Sequence, residues 1–273
     1  MNPRRNPTPG PGRGSAGRLR VAAVQMRFGA NVEKNLATMT AAIGRLARRR
    51  AGLAVFPECC LNGYLVPPGD RDWKATAAGV KELRSLAREK KMALVFGLAE
   101  RNRRGLPLNS VIALDSRGRL AGRYCKQHLI SWDRDFFSPG DRPLRVFKLA
   151  GLRIAMLICY DIRFPEPARA AALRGAELIC YSLAASGSGG WKKPVMEGHL
   201  RSRAAENGVF VLAANRLEKV MMMNSRIVDP DGLDLARAPV THPAEIVAGI
   251  SPAAAHHRHL ADRREDLYSF RSR

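Results

Sequence analysis

The chain has 273 residues, 46% of them hydrophobic, which suffices for one large core; no apolar run approaches a membrane span, and no hydrophobic secretory segment is read at the N-terminus. Five cysteines, at 59, 60, 125, 159 and 180, form an odd set without CxxC spacing, so a disulfide framework or a zinc site is not expected and a reducing cytoplasm is. The net charge of +22 raises nucleic acid as a partner, yet the arginines, among them Arg45, Arg84, Arg101, Arg169, Arg237 and Arg263, are spread along the chain with no helix-turn-helix, zinc-finger or aromatic RNA-binding signature beside them. The charge reads as a solvated surface that binds polyanions nonspecifically and in a salt-sensitive way.

Residues 1–18 (MNPRRNPTPGPGRGSAGR) are rich in Pro, Gly and Arg without apolar periodicity, which predicts a disordered basic tail. One domain is expected over 19–250, with a basic extension over 251–273. LRVAAVQM, from Leu19, reads as a buried strand. After Gly29, Asn31 suits a helix N-cap, and Leu36, Met39, Ile43 and Leu46 recur at steps of three and four before Arg48, Arg49 and Arg50. LAVF at 53–56 is a short strand that stops at Pro57 and delivers Glu58 into a loop. A helix over 74–91 and a strand over 92–100 follow. Polar turns at 102–105 and 116–119 then separate strands near 107–114 and 119–125, an antiparallel meander with Lys126 at its end.

RVFKL at 145–149 and LRIAMLIC, joined at Ala150-Gly151, predict a hairpin. The apolar run Ile154–Ile158 ends on Cys159, and Tyr160, Asp161 and Arg163 follow at once, so polar chemistry begins where the buried strand stops. A free cysteine there is either a small core hydrophobe or a nucleophile. Pro165 opens a helix to 174. ELICYS at 177–182 is the next strand, 184–193 is a Gly- and Ser-rich loop, and a helix from 194 ends at the Asn207-Gly208 stop pair before VFVLAAN at 209–215. SRIVD, the turn at 230–232 and EIVAGI at 245–250 are read as one further set of strands. His256, His257 and His259 have no carboxylate or thiol at ligand spacing, so no metal is expected there. Strands alternating with helices, with hairpins between, argue for two packed sheets covered by helices, without an internal repeat.

Three strand ends thus present a carboxylate, an amine and a thiol: Glu58 in FPECCLNGY, Lys126 in YCKQHL and Cys159 in ICYDIRFPE. Singly, each has a bland reading, as a loop carboxylate, a solvated lysine and a core thiol. In these contexts they resemble the nitrilase or carbon-nitrogen hydrolase superfamily, whose members carry a Glu-Lys-Cys triad in this order. The resemblance runs from about Leu19 to Ile250. It includes Gly63-Tyr64, His128-Leu129, SPGD at 138–141, RSRAAEN at 201–207 and VDPDG at 228–232. It implies an α/β fold, a four-layer α-β-β-α sandwich of two mixed sheets, commonly paired into a homodimer or larger homo-oligomer.

The resemblance also implies hydrolysis of a carbon-nitrogen bond other than a peptide bond, in a small carboxamide or N-carbamoyl compound, with a nitrile as the alternative substrate and no cofactor. Glu58 becomes the general base, Cys159 the nucleophile that forms a thioester, and Lys126 with the Tyr160 backbone N–H the oxyanion donors. A different class of function, an inactive basic nucleic-acid-binding or scaffold protein, is disfavoured by the intact triad.

Two departures from the family pattern stand out. Asp133 occupies the place of a usual glutamate directed toward the lysine or the substrate, with one methylene less reach. KVMMMN at 219–224 replaces a loop that usually carries a Gly; Met221, Met222 and Met223 are read as packing, with an apolar substrate wall or a dimer contact as alternatives. Tyr64, Asp161 and Arg163 are candidates to line or brace the site, and an Arg163–Glu166 ion pair is expected to fix the turn after Cys159. Substrate selection is assigned to the loops at 62–73, 127–137 and 184–193.

Overall fold

A computed structural model describes residues 18–187, 190–264 and 266–267. Apart from Arg18, the predicted basic tail lies outside the described residues. In chain order the strands are β1 (Leu19–Gln25), β2 (Leu53–Val55), β3 (Ala93–Glu100), β4 (Leu108–Leu114), β5 (Leu120–Cys125), β6 (Phe147–Leu149), β7 (Leu152–Ile158), β8 (Leu178–Leu183), β9 (Phe210–Asn215), β10 (Arg226–Val228), β11 (Asp234–Arg237) and β12 (Ala244–Ile250). The helices are α1 (Val32–Arg48), α2 (Trp73–Glu89), α3 (Pro165–Leu173), α4 (Lys192–Ala205) and the short α5 (Arg258–Ala261).

The strands form two six-stranded sheets, ordered β12-β1-β2-β3-β4-β5 and β11-β10-β9-β8-β7-β6. Each has three parallel strands at its centre, β1-β2-β3 in one and β7-β8-β9 in the other, with antiparallel strands on both sides. The sheets pack face to face, and the helices cover the outer faces, α1 and α2 on the first and α3 and α4 on the second.

Side-chain alternation explains why the central strands read as unbroken apolar runs. In β1, Val21 and Ala23 face the second sheet while Ala22 and Val24 face the helices; β3 repeats this with Ala93 and Val95 against Leu94 and Phe96. Both faces are dry, so both periods must be apolar. Helix α1 contributes Met39, Ile43 and Leu46, each fully buried, and burial of side chains of this size is worth about 1.5–3 kcal/mol apiece. Its N-cap forms as expected, with Asn31 accepting the Lys34 N–H at 2.8 Å.

The end of the chain differs from the expectation. SRIVD and EIVAGI do not belong to one set: β10 makes a hairpin with β11, whereas β12 crosses to the first sheet and runs antiparallel to β1. Gln25 clamps the crossing, since its amide donates to Pro239 O at 2.6 Å and to His242 O at 3.2 Å and its carbonyl accepts the Ser225 N–H at 2.9 Å. The crossing places β12 on an otherwise open edge of β1, where its backbone groups find partners. The histidines near the C-terminus serve packing: His257 Nε2 is 2.8 Å from Ala176 O, and the His256 ring lies against Gly208, where a Cβ would meet it at 2.5 Å.

Candidate active site

Glu58, Lys126 and Cys159 follow the carboxyl ends of β2, β5 and β7 and meet where the two sheets open into a cleft of about 460 Å3. Packing against glycine sets the position of the first two. Gly97 of β3 lets the chain at Pro57–Cys59 pass so closely that a Cβ would lie 2.4 Å from the Cys59 nitrogen and 2.7 Å from the Glu58 Cα. Gly140, in the SPGD stretch, donates its N–H to Lys126 O at 2.8 Å, and a Cβ there would lie 2.4 Å from Cys125 O. Cys159 is positioned by strain instead: it sits at φ 39° where β7 breaks into a single 3-10 turn, a left-handed conformation that a non-glycine residue adopts only when its surroundings hold it.

Asp161 holds it. This fully buried carboxylate accepts the Ile158 N–H at 3.0 Å and the Tyr124 hydroxyl at 2.8 Å on one oxygen. Its other oxygen lies 2.7 Å from His128 Nδ1. Of the two roles open to Asp161, lining or bracing, the contacts are those of a brace. Arg163 behaves otherwise than expected. Glu166 is exposed at the first turn of α3 and makes no ion pair with Arg163 among the described residues. The Arg163 side chain instead lines the cleft, with Nη1 3.4 Å from His199 Nε2. The turn needs no ion pair because Asp161 already satisfies its backbone.

The charges at the base of the cleft form a closed set. Lys126 Nζ donates to Glu58 Oε1 at 2.8 Å and to Asp133 Oδ2 at 2.7 Å, with all three side chains sealed from solvent. Asp133 reaches the lysine despite its shorter side chain because the 3-10 turn Ser131–Asp135 brings its backbone inward; its second oxygen accepts the Tyr64 hydroxyl at 2.5 Å. Tyr64 also places its ring 5.7 Å from Lys126 Nζ. Asn109, on β4 beside the end of β5, donates its side-chain amide to Glu58 Oε1 at 2.7 Å, and its backbone carbonyl accepts the backbone N–H of Lys126 at 2.8 Å. The Ala184 N–H, just past β8, donates to Glu58 Oε2 at 3.0 Å, and Ala184 lines the cleft beside Cys159.

Burial raises the Glu58 carboxyl above its ordinary range, with Lys126 pulling it back and Asp133 adding to the rise. Burial likewise pushes the Cys159 thiol up, and the Glu58 charge adds to this against Lys126. For Lys126 burial alone would lower the ammonium, but Glu58, Cys159 and Asp133 more than offset it and hold the proton on. The resting arrangement is therefore a neutral thiol beside a carboxylate of heightened proton affinity and a permanent cation. A thiol so placed can pass its proton to the carboxylate as it attacks. An ammonium has three N–H donors and Lys126 spends two on carboxylates, which leaves one for the cleft it lines.

The remaining walls come from Tyr64, Leu65, Ile130, Trp132, Tyr160, Ala185, Ser186, Lys192, Met196, Arg216 and Met222. The three methionines divide: Met222 lines the cleft, Met223 is fully buried, and Met221 forms a backbone bridge to Ser186. Ala184 and Lys192 fall in the loop at 184–193 to which the sequence assigns substrate selection, whereas Asn109 and Arg216 lie outside every site expectation from the sequence. A polar residue in an otherwise apolar strand, as Asn109 is in LNSVIAL, was the one available signal for Asn109. Among the described residues no helix is long and apolar enough to cross a membrane, and no group of three or more His, Cys, Asp or Glu side chains is arranged to hold a metal ion.

A two-sheet α-β-β-α sandwich with a carboxylate, a lysine and a thiol at its strand ends defines a class of hydrolases that act on carbon-nitrogen bonds. The carbon-nitrogen hydrolase family model matches residues 20–256, and the chain belongs to that family. It is 33% identical over 226 residues to an (R)-stereoselective amidase of Pseudomonas sp., covering 78% of this chain and 79% of that one. It is 29% identical over 268 residues to a nitrilase of Pyrococcus abyssi, covering 92% and 99%. A mutant of the amidase from Nesterenkonia sp. AN1, with the acetamide moiety of fluoroacetamide covalently added at its active-site cysteine, superposes with a TM-score of 0.81 at 29% identity, covering 92% of this chain and 95% of that one.

Proposed function

We propose that this carbon-nitrogen hydrolase cleaves a small carboxamide or N-carbamoyl compound through a thioester on Cys159. The observation that carries the reading is the sealed Lys126–Glu58 pair, 2.8 Å apart, at the base of the cleft that Lys126 and Cys159 both line.

In this reading the Cys159 sulfur bonds to the carbonyl carbon as Glu58 takes the thiol proton. The oxygen of that carbon becomes an oxyanion, met by the third N–H of Lys126 and the backbone N–H of Tyr160. As the tetrahedral species collapses, the C–N bond breaks and Glu58 returns its proton to the departing nitrogen. Water, deprotonated by the now ionised Glu58, then attacks the thioester, expels the thiolate and restores the thiol. A carboxamide yields ammonia and a carboxylic acid; an N-carbamoyl compound yields ammonia, carbon dioxide and an amine. Asp133 and Asn109 act through Lys126 and Glu58, to which they are hydrogen-bonded, and Tyr64 acts one step further out, through Asp133. Asp161 keeps the nucleophile in its strained turn.

The likeness to a named nitrilase supports nitriles as the second substrate class, because the same thiol can add to a nitrile carbon. A panel of short amides, N-carbamoyl compounds and nitriles, assayed for ammonia, tests the reading. At least one compound is expected to be turned over, and intact-mass analysis under rapid quench should show its acyl group on Cys159. Cys159→Ala should lose roughly 10⁵-fold in kcat. Turnover that survives Cys159→Ala, or a panel without ammonia release from any member, would overturn it.

A further inference from the structure

The cleft wall carries positive charge that the protein does not answer. Among the described residues no Asp or Glu lines it. Of its four cations, Lys126 is balanced by Glu58 and Asp133, and Arg216 pairs with Glu218 at 2.7 Å while stacking on Phe28. Arg163 and Lys192 have no carboxylate partner among the described residues. Arg163 faces His199, a ring whose proton affinity is lowered by burial, then by Arg203 and Arg163 itself, and that brings no negative charge. Lys192 lies over the Trp191 ring, with Nζ 5.9 Å from its centroid. Both side chains are half-buried, so they have lost part of their hydration without gaining a counter-ion, an arrangement that an incoming anion relieves. They come from separate elements, the turn after Cys159 and the first turn of α4, and converge on one cavity. Leu65, Ile130, Met196 and Met222 supply apolar wall for a short carbon chain.

We propose that the substrate carries a carboxylate remote from the scissile C–N bond and that Arg163 and Lys192 bind it. The proposal rests on the hydrolase reading above and narrows it. The carboxylate belongs either to the acyl half, as in the monoamide of a dicarboxylic acid, or to the departing half, as in an N-carbamoyl amino acid. Substrates with a terminal ammonium are disfavoured by the same charges.

The test compares kcat/KM for matched sets. The acyl-half arm uses the monoamides of succinic, glutaric and adipic acid, the unsubstituted alkanamides of the same length, and the corresponding ω-amino amides. The departing-half arm uses N-carbamoyl amino acids against N-carbamoyl alkylamines. In one arm the acid is expected to exceed its neutral partner by roughly ten- to a hundred-fold, the value of one or two charge-assisted hydrogen bonds, and the arm that shows it identifies the half. Lys192→Gln and Arg163→Gln should each reduce that acid-to-neutral ratio by about ten-fold, mainly through KM, and Lys192→Glu should move the preference toward the ω-amino amides. Because Lys192 is a partly exposed side chain at a helix start, its variants are not a test of folding. Neutral amides hydrolysed as well as the acids in both arms, or a ratio unmoved by both Gln variants, would overturn the carboxylate site and leave the hydrolase reading standing. Ammonia from no compound at all would overturn both.

Discussion

Two buried cations in this protein are each held between two carboxylates, and they serve opposite ends. Lys126 lies between Glu58 and Asp133, all three fully sealed, at the base of a cleft that also holds a thiol. Arg226, equally sealed, lies between Glu197 of α4 at 2.5 Å and Asp234 of β11 at 3.3 Å, with no nucleophile beside it. The carboxylates of the second set keep 21% and 19% of their side-chain exposure, so water shares their charge. Those of the first have no such relief, and burial raises Glu58. A buried ion pair is weak evidence for stability by itself. Here the difference in solvation separates a brace, which ties a helix to a hairpin, from a cluster whose carboxylate is primed to accept a proton.

The largest effect should come from emptying each cluster of its cation. Lys126→Met leaves two unpaired buried carboxylates, so stability should fall by about 3–5 kcal/mol and the folded fraction should release no ammonia. Arg226→Met lets Glu197 and Asp234 rehydrate, so stability should fall by roughly 1–3 kcal/mol while kcat of the folded enzyme stays within about three-fold. Urea titration combined with kinetics on the soluble fraction checks both, and an Arg226→Met enzyme as dead as Lys126→Met would break the comparison. Next in size is Glu58→Gln. The first cluster carries one positive and two negative charges, and the amide makes it neutral, so kcat should drop by about 10²–10⁴-fold without loss of Tm. Glu197→Gln should leave kcat unchanged.

A smaller effect concerns pH. As the proposed base, Glu58 would act only when ionised, and its proton affinity is raised, so kcat/KM should be lost as pH falls through a value above the ordinary 4.5 of a glutamate, in a limb that belongs to the coupled cluster. Asp133 is among the groups that hold Glu58 up, so Asp133→Asn should move that limb to lower pH. A pH profile with the limb unmoved, or moved upward, would remove Asp133 from the electrostatics of the base. Smallest is Tyr64→Phe, which deletes one hydrogen bond to the Asp133 carboxylate and should cost about 1–2 kcal/mol of stability with only a few-fold change in kcat/KM. Thermal melts beside steady-state kinetics would show it.

Much of this was legible in the chain. The strands and helices around Cys159 follow from local pattern, because a strand covered on both faces must be apolar throughout and a helix covered on one must repeat at three and four. Glu58, Lys126 and Cys159 stood out because each directly follows such a strand in a recognisable setting. Asn109 and the Ala184 N–H escaped notice since a single strand asparagine and a backbone amide carry no pattern of their own. The Arg163–Glu166 pair failed for a related reason: closeness in sequence says nothing about which side of a turn faces a cavity. The joining of β12 to the first sheet was likewise invisible, because the strand's alternation is compatible with either sheet and only the free edge of β1 and the Gln25 clamp decide it.

The two-sheet class, the strand ends and the residue types at them can be read from the chain alone, since they depend on local burial and on the chemistry of individual side chains. Folding in three dimensions added that Asp133 reaches Lys126 with its shorter side chain, that the Ala184 N–H and Asn109 hold the Glu58 carboxylate, and that Arg163 and Lys192 share a cavity without a carboxylate partner among the described residues. These relations are set by the course of the backbone between the residues, by how closely it passes at Gly97 and Gly140 and by which charges lose their water together.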